Sequence, residues 1–473
     1  MIVDSKYKYN WGMKKYWPIV LLSLIFLGLY RFIFNLYFAQ DDFFHLKMSL
    51  VNNFSDFINF FSFKNQFGYT FYRPISTQVY NLVMVSLFGY NPFFFHLISF
   101  IFFIANIFLV FKIVNKILQK ESLAWLVAFL YGLNASNVGS LSYISNFQEI
   151  CMAFFTFLTF WFYLKKNSLF LLTFILALLS KEASITFSFI IIFYEFLLGK
   201  KNWRKILPLF LVLGIYGIFR LSSGLPDVSV YRPVFSLKKI LNSYLWYFLW
   251  GLGLPEMLTD FIGPGIKFSQ ELFINFGREV LVYLIGSFSF FGLLAIGLLK
   301  FKKKDFKVVL FFLAWFAVGL MPVIFWPFHK YVYYLTMPLL GLAASLMIIL
   351  KNAPRFVCYF GILFLIIISV TTTNLSQKTY WVVNRSKISQ QIIEDFKKQY
   401  PSLPKEAAIY FRNDPNYPTV PNFGNSSTQA SYALSGESAF QLLYHDLTIK
   451  VYFEDLDKPP ENINNLIIVT AKI

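Results

Sequence analysis

WPIVLLSLIFLGLYRFIFNLYFAQDD, residues 17–42, decides the broad class of this chain. The apolar run from Trp17 to Phe38 has about the length that a helix needs to cross a bilayer, roughly 20 residues. No small-residue cleavage site follows it, so it predicts a retained transmembrane helix and not a signal peptide. Two carboxylates, Asp41 and Asp42, follow the run. Ionised groups next to hydrocarbon are costly and tend to be functional, so this pair is the first candidate site.

The composition predicts a polytopic membrane protein. The 473 residues are 57% hydrophobic, 21% aromatic and only 14% charged, which leaves too little polar surface for a soluble fold. The formal net charge of +18 could indicate nucleic-acid binding. We exclude that class because the Lys and Arg residues cluster in short loops between apolar runs. The two cysteines, Cys151 and Cys358, lie inside apolar runs and are expected to be buried small residues.

The apolar runs predict about eleven transmembrane helices. They cover residues 17–38, 92–111, 122–140, 147–164, 168–180, 183–199, 206–222, 279–299, 307–325, 331–350 and 355–373. Alternate loops between these spans carry nearly half of the 42 basic residues. By the positive-inside rule, those loops and the N-terminus are cytoplasmic, and the Asp pair faces the other side.

Two outward segments are too long for simple turns and are expected to be functional: residues 40–91 and 223–278. Each contains an apolar or aromatic stretch, Ile75–Phe88 and Tyr244–Trp250, that we interpret as a helix at the membrane surface. Beyond residue 373 the chain becomes polar. We expect a transmembrane domain over residues 1–373 and a small extracytoplasmic α/β domain over 374–473.

Within this C-terminal domain the pattern predicts helices over 377–399 and 428–444 and strands over 407–411, 447–453 and 466–470. The fold class is therefore an all-α polytopic membrane protein with a small C-terminal α/β extracytoplasmic domain.

Charged and polar residues of both signs are predicted at the outward membrane surface. Such a mixture suits a site that binds an anion through Arg and Lys while a carboxylate transfers a proton. The set comprises Asp41, Asp42, His45, Lys47, Lys64, Arg73, Gln148, Glu149, Lys181, Glu182, Arg220, Arg232, His329 and Lys330.

Structural explanations compete with the catalytic one. Asp42 could cap the helix that follows it, and Asp41 could be an interfacial carboxylate without a role. Lys181 and Glu182 could form an ion pair that closes a turn. No residue pair has a spacing that indicates a metal site, although the adjacent acids leave a divalent cation open.

Several short motifs follow in an order and sidedness that resemble the GT-C glycosyltransferases, integral membrane enzymes that take a sugar from a polyprenyl-phosphate carrier. The similarity is closest to bacterial dolichyl-phosphate-mannose–protein-mannosyltransferase-like proteins and covers roughly residues 15–350. The motifs are the outward Asp pair, Tyr72-Arg73-Pro74, FGYNPFFFH (88–96), YISNFQE (143–149) and LSKEA (179–183).

The resemblance implies roles for the matching residues. Asp41 would be the catalytic carboxylate, with Asp42 as its alternative or assistant, and Arg73 would bind the carrier phosphate. Lys181 and Lys330 would add positive charge for that phosphate; the His329-Lys330-Tyr331 stretch departs from the family by having Lys where Arg is commoner. His45, Glu149, Glu182 and His329 would line the cavity.

The resulting hypothesis is an inverting transfer of a sugar from a polyprenyl-phosphate lipid to a hydroxyl on a glycan, lipid or protein, with no certain cofactor. One carboxylate and a departing phosphate need no second carboxylate nucleophile. A transporter, a glycan polymerase or ligase and a non-catalytic lipid-binding protein remain the alternatives. This chain shows no internal repeat of the kind that is common in transporters, which argues against that alternative.

Overall fold

The computed structural model describes residues 17–62, 71–222, 231–263, 265–418, 424–458 and 465–473. Lys64, the basic residues before Trp17 and part of each long outward loop lie outside these ranges. Over the described residues the chain is mostly helical, with small sheets and several long apolar helices, as expected for an integral membrane protein. The composition-based prediction of the broad class is confirmed.

The helices before residue 270 are numbered in chain order. They are α1 (Trp17–Tyr30), α2 (Asp41–Met48), α3 (Phe54–Asn59), α4 (Tyr80–Phe88), α5 (Pro92–Leu118), α6 (Glu121–Leu133), α7 (Asn137–Ser142), α8 (Phe147–Leu164), α9 (Phe170–Ser180), α10 (Thr186–Leu197), α11 (Leu207–Ser222), α12 (Leu237–Gly251) and α13 (Leu258–Phe261). A π-helix, Pro74–Val79, leads into α4, and short 3-10 turns cover Arg31–Asn35, Ile144–Asn146, Glu182–Ile185 and Trp203–Lys205.

The second part of the chain contains longer helices and the sheets. A two-residue antiparallel pair, β1 (Ile262–Gly263) and β2 (Lys267–Phe268), precedes them. The helices are α14 (Gln270–Leu299), α15 (Phe306–Gly319), α16 (Met321–Ile324), α17 (Leu339–Leu350), α18 (Arg355–Thr379) and α19 (Trp381–Gln399), with 3-10 turns at Lys303–Asp305 and Val332–Leu335. The remaining elements are β3 (Ala408–Asn413), α20 (Ser426–Leu434), α21 (Ser438–Leu443), β4 (Lys450–Phe453) and β5 (Leu466–Ala471).

Each of the eleven predicted spans overlaps an observed helix. Among the described residues, five helical stretches are long and apolar enough to cross a membrane: Trp17–Asn35, Pro92–Leu118, Ile144–Leu164, Gln270–Leu299 and Arg355–Gln399. Helices α6, α9 and α17 are apolar but shorter.

Two predicted spans are cut short by identifiable residues. The run 122–140 breaks at Asn134, whose side chain accepts a hydrogen bond from Ser136 N at 2.9 Å and donates one to Gly251 O at 2.7 Å. The run 331–350 becomes α-helical only at Leu339, after the 3-10 turn Val332–Leu335 and directly after Pro338. Proline cannot donate a backbone hydrogen bond within a helix. Hydropathy alone does not register either break.

The main core lies between the long helices and is rich in aromatic side chains. Its tightest approach is between α15 and α17 at Gly341, where an added Cβ would lie 2.3 Å from Phe312 O and 2.7 Å from Phe316 N. Only glycine fits between two helix backbones at that distance. Small residues allow this close packing where the surrounding lipid is as apolar as the helices themselves.

The C-terminal strands form a parallel sheet in the order β4–β3–β5, with Ala408 opposite Lys450 and Leu466. The predicted strands are therefore present, within a few residues of their expected ends. The predicted helix 428–444 is two helices, α20 and α21, because Ser435 and Gly436 both have left-handed backbone angles, φ 56° and 60°.

A second hydrophobic core joins this C-terminal unit to the first outward loop. Phe38 and Phe43, next to the Asp pair, belong to the same buried cluster as Ile392 of α19 and Phe440 of α21. The backbone amide of Gln40 also donates to Ala433 O at 2.9 Å. The C-terminal unit is thus packed directly on the loop that carries the candidate carboxylates.

Candidate functional site

A tight turn before α2 gives the two adjacent carboxylates different surroundings. Gln40, with φ 53°, is the N-cap residue, so Asp41 and Asp42 both lie in the first helical turn. Asp42 is 2% exposed; one carboxylate oxygen accepts from Ala39 N at 2.9 Å, and the other accepts from the amide and hydroxyl of Ser145 at 2.7 and 2.6 Å. The explanation of Asp42 as a helix cap is wrong. Its carboxylate ties α2 to the turn before α8.

The buried position of Asp42 predicts a pH-dependent stability. Burial raises the pKa of its carboxyl to about 7, although the hydrogen bonds from Ser145 and Ala39 favour the ionised form. Because the pKa in the folded chain lies above the value near 4 expected when unfolded, ionisation costs folding free energy as the pH rises through this interval. We expect the wild type to lose about 2 kcal/mol of stability between pH 5 and pH 8 from this group.

The Asp42→Asn variant should lack that part of the pH dependence. Thermal unfolding of both purified proteins in the same detergent, at pH 5 and pH 8, measures the difference. If the two midpoints move in parallel with pH, the buried carboxyl of Asp42 does not titrate in this range.

Asp41, in contrast, is exposed although protein surrounds it. Its backbone amide donates to the phenolic oxygen of Tyr143 at 3.0 Å, and the same phenol hydrogen-bonds to its carboxylate. Burial raises the pKa of the Asp41 carboxyl, and the nearby charges of Arg385 and Arg73 oppose that shift. Its carboxylate thus has accessible surface but incomplete hydration. Asp41 therefore has the setting of a general base.

Arg73 brings positive charge toward this carboxylate from the first outward loop. Its Nε donates to Glu182 Oε2 at 2.8 Å, and its Nη1 donates to Gln148 Oε1 at 2.6 Å. The guanidinium also lies 4.3 Å from the ring centre of Phe71. Pro74, the next residue, disfavours the helical region for Arg73, whose backbone has φ −139° and ψ 54°. The guanidinium is thus held by groups from three separate parts of the chain.

Lys181 and Glu149 form a buried ion pair, with side chains 6% and 2% exposed. The Lys181 ammonium also lies 4.9 Å from the ring centre of Tyr334. The explanation of Lys181 and Glu182 as partners in a turn is wrong, because Lys181 pairs with Glu149 and Glu182 pairs with Arg73. Two cations and their two carboxylates therefore connect α8, the α9–α10 turn and the first outward loop.

Two histidines share the electrostatic surroundings of these cations. Burial, with the charges of Arg73 and Lys181, lowers the pKa of His45 to about 3. Burial and the same two cations lower the pKa of His329 to about 4, and its ring lies 4.5 Å from that of Tyr231, centre to centre, at an angle of 59°. Both imidazoles are neutral at pH 7 and can line the cavity or donate hydrogen bonds without adding charge.

Lys330 lies apart from this cluster. Its Nζ donates to Asn242 Oδ1 on α12 at 3.1 Å, and burial alone lowers its pKa, with no contribution from the charges of Arg73 or Lys181. The structure thus brings together Asp41, His45, Arg73, Glu149, Lys181, Glu182 and His329, with Asp42 behind them. It does not place Lys330 among them.

Sequence reasoning missed Arg385, which α19 places beside the Asp pair. Its guanidinium donates to the side chain of Gln40 and lies 4.9 Å from the ring centre of Trp381 and 5.0 Å from that of Tyr432. A signal was present in the sequence: Trp381 and Arg385 are four residues apart and share one face of a helix. Nothing in that pattern indicated that the C-terminal unit packs on the first loop.

The second outward loop contributes Glu256, which was also missed. Its Oε2 accepts from Val332 N at 2.7 Å, so it positions the turn that carries His329 and Tyr334. Burial raises the pKa of Glu256 to about 8. The proton of this carboxyl is therefore largely retained at neutral pH, where the group supports the turn without adding charge.

The residues present do not fit a metal held by the Asp pair. Both oxygens of Asp42 already accept hydrogen bonds from Ala39 and Ser145, so only the Asp41 carboxylate of the pair has accessible surface. Within the described ranges, no three His, Cys, Asp or Glu side chains come together as metal ligands would. We derive no chemical step through a metal.

Comparison of the whole chain with protein-family models and with curated proteins found no match.

Proposed function

We propose that this protein is a GT-C-type membrane glycosyltransferase that moves a sugar from a polyprenyl-phosphate donor to a hydroxyl acceptor. The observation that carries the proposal is the exposed Asp41 carboxylate, held by Tyr143 next to Arg73 and Arg385. A cavity with one accessible carboxylate and several fixed cations suits a reaction that removes a proton and releases an anion.

The proposed topology has about eleven spans, a cytoplasmic N-terminus and an extracytoplasmic C-terminal unit. It is supported by the match of each predicted span to an observed helix and by the basic residues in alternate loops. The candidate site would then face the extracytoplasmic side at the membrane surface. A lipid-linked donor could reach it with its prenyl chain still in the bilayer.

The mechanism is a single displacement. The acceptor hydroxyl oxygen forms a bond to the anomeric carbon and gives its proton to the Asp41 carboxylate. The bond between that carbon and the phosphate oxygen breaks, and both electrons leave with the polyprenyl phosphate. Arg73 and Lys181 stabilise the charge that accumulates on this phosphate. Because the hydroxyl attacks the face opposite to the departing phosphate, the product has inverted stereochemistry.

The other residues have positioning roles in this proposal. Glu182 and Gln148 fix the guanidinium of Arg73, and Glu149 fixes Lys181. Asp42 holds α2 against Ser145 and so sets the position of Asp41. Arg385 keeps positive charge near Asp41, which helps it remain ionised at neutral pH.

The test is transfer of labelled sugar by the purified protein in liposomes. We expect transfer from polyprenyl-phosphate sugars and none from nucleotide sugars alone. Arg73→Gln should lower kcat/KM about 100-fold, because one charge-stabilising donor is lost, and Arg73→Lys should recover part of that loss. Arg31→Gln removes the same charge from the exposed end of the first span and should have no effect. An Arg73→Gln enzyme of full activity would contradict the assigned role.

A further inference from the structure

A second cavity opens at the end of the helix bundle opposite to the candidate site. Helices α5, α8 and α17 run between the two ends, and the 27 residues of α5 span about 40 Å. The cavity has a volume of about 760 Å³ and lies between the α5–α6, α14–α15 and α17–α18 connections. None of the residues assigned to sugar transfer lines it.

The rim of this cavity is strongly basic. Its one carboxylate, Asp305, is paired with Lys351 at 2.9 Å and with the Asn352 amide at 3.1 Å. In the part of the chain that the structure describes, the other basic side chains of the rim form no ion pair with a carboxylate, although the charge of Lys304 also acts on Asp305; they are Lys120, Lys302, Lys304 and Arg355. Four cations that converge on one cavity favour an anionic ligand.

The floor of the cavity is apolar and continues toward the lipid. Val308 and Met347 line the cavity, as does Tyr359 on the first turns of α18. Tyr359 is 68% exposed, and Leu363, one helical turn further along the same helix, is 43% exposed. Residues four apart lie on one face of a helix, so an apolar track leads from the cavity along α18.

We propose that this cavity binds the headgroup of an anionic phospholipid, with an acyl chain lying along α18. The positive-inside rule accounts for basic residues at this end of the bundle but not for a cavity with an apolar floor beneath them. A soluble anion would use the basic rim and leave the apolar track without a function. A lipid uses both, and basic cavities between membrane helices at headgroup level have this chemistry.

Native mass spectrometry of the full chain, released from lipid nanodiscs, tests the proposal. The nanodiscs contain phosphatidylcholine with or without phosphatidylglycerol, and the readout is the fraction of protein that retains one lipid. We expect retention of phosphatidylglycerol over phosphatidylcholine. The triple variant Lys302→Gln/Lys304→Gln/Arg355→Gln should retain it about tenfold less or weaker still.

The matched control is Lys200→Gln/Lys201→Gln/Arg204→Gln, which removes the same charge at the same end of the bundle outside the cavity. Size-exclusion profiles test whether each variant is folded, and Arg355→Gln alone provides a milder change. Equal retention by the rim variant and wild type would overturn the proposal, as would equal loss in the control. If inorganic pyrophosphate stabilises the protein in nanodiscs of pure phosphatidylcholine and no lipid is retained, the cavity binds a soluble anion. That result would also overturn the proposal.

Discussion

Asp41→Asn should abolish sugar transfer while the protein still inserts and folds. Asparagine keeps the shape of the side chain but cannot accept the proton of the attacking hydroxyl. General-base catalysis contributes about 10²- to 10⁴-fold, so we expect a loss of at least two orders of magnitude in kcat. The measurement is transfer of labelled sugar from a polyprenyl-phosphate donor by equal amounts of purified wild type and variant.

The wild-type pH profile should carry the signature of the same group. The pKa of Asp41 is raised, and a base works only when deprotonated, so the rate should fall with decreasing pH at values above the usual carboxyl range. Asp42→Asn removes the neighbouring carboxylate, which positions Asp41 but does not accept the proton, so it should lower the rate less than Asp41→Asn does. A fully active Asp41→Asn protein would refute the mechanism. Altered uptake of a solute with unchanged glycans would favour a transporter instead.

Glu149→Gln should be the most destabilising of the single changes in the candidate site. It leaves the Lys181 ammonium buried without its counter-charge, and breaking a buried pair from one side costs about 3–5 kcal/mol. Lys181→Met should cost a similar amount by stranding the Glu149 carboxylate. Thermal unfolding of the purified variants in one detergent measures both losses.

The double variant Glu149→Gln/Lys181→Met separates stability from activity. Removing both charges should restore much of the lost stability, because a neutral side chain costs far less to bury than an unpaired charge. It should not restore transfer, since the cation that we propose for binding the donor phosphate is gone. The exposed pair Lys398–Asp395 is the control: Asp395→Asn should change stability by about 0.5 kcal/mol or less. A double variant with wild-type activity would remove Lys181 from the proposed site.

Hydropathy and charge predicted the class of fold because both depend on the bilayer alone. A helix in lipid satisfies its backbone hydrogen bonds internally and is visible in the sequence as an apolar run. Each predicted span overlaps a helix. The helix ends were less predictable. Asn134 ends α6 early by hydrogen bonding to the distant Gly251 backbone, and such a partner is not visible in a local pattern.

The candidate site was predicted in part for a similar reason. Asp41 and Arg73 stood out because charged residues are rare near the membrane in this chain. Which of two adjacent carboxylates reaches the cavity depends on the φ 53° turn at Gln40 and on Ser145, about a hundred residues away. Arg385 could not be assigned because its contact with Gln40 requires the C-terminal unit to pack on the first loop.

The contact between Gln40 and Arg385 can form only late in synthesis. Gln40 and Arg385 are 345 residues apart in sequence, so at 5–20 residues per second a ribosome needs about 17–70 seconds to deliver the arginine after the carboxylates have emerged. The nascent chain therefore contains the Asp pair long before Arg385 is available to contact Gln40. A chain that stops before α19 has the Asp pair but lacks the guanidinium beside it.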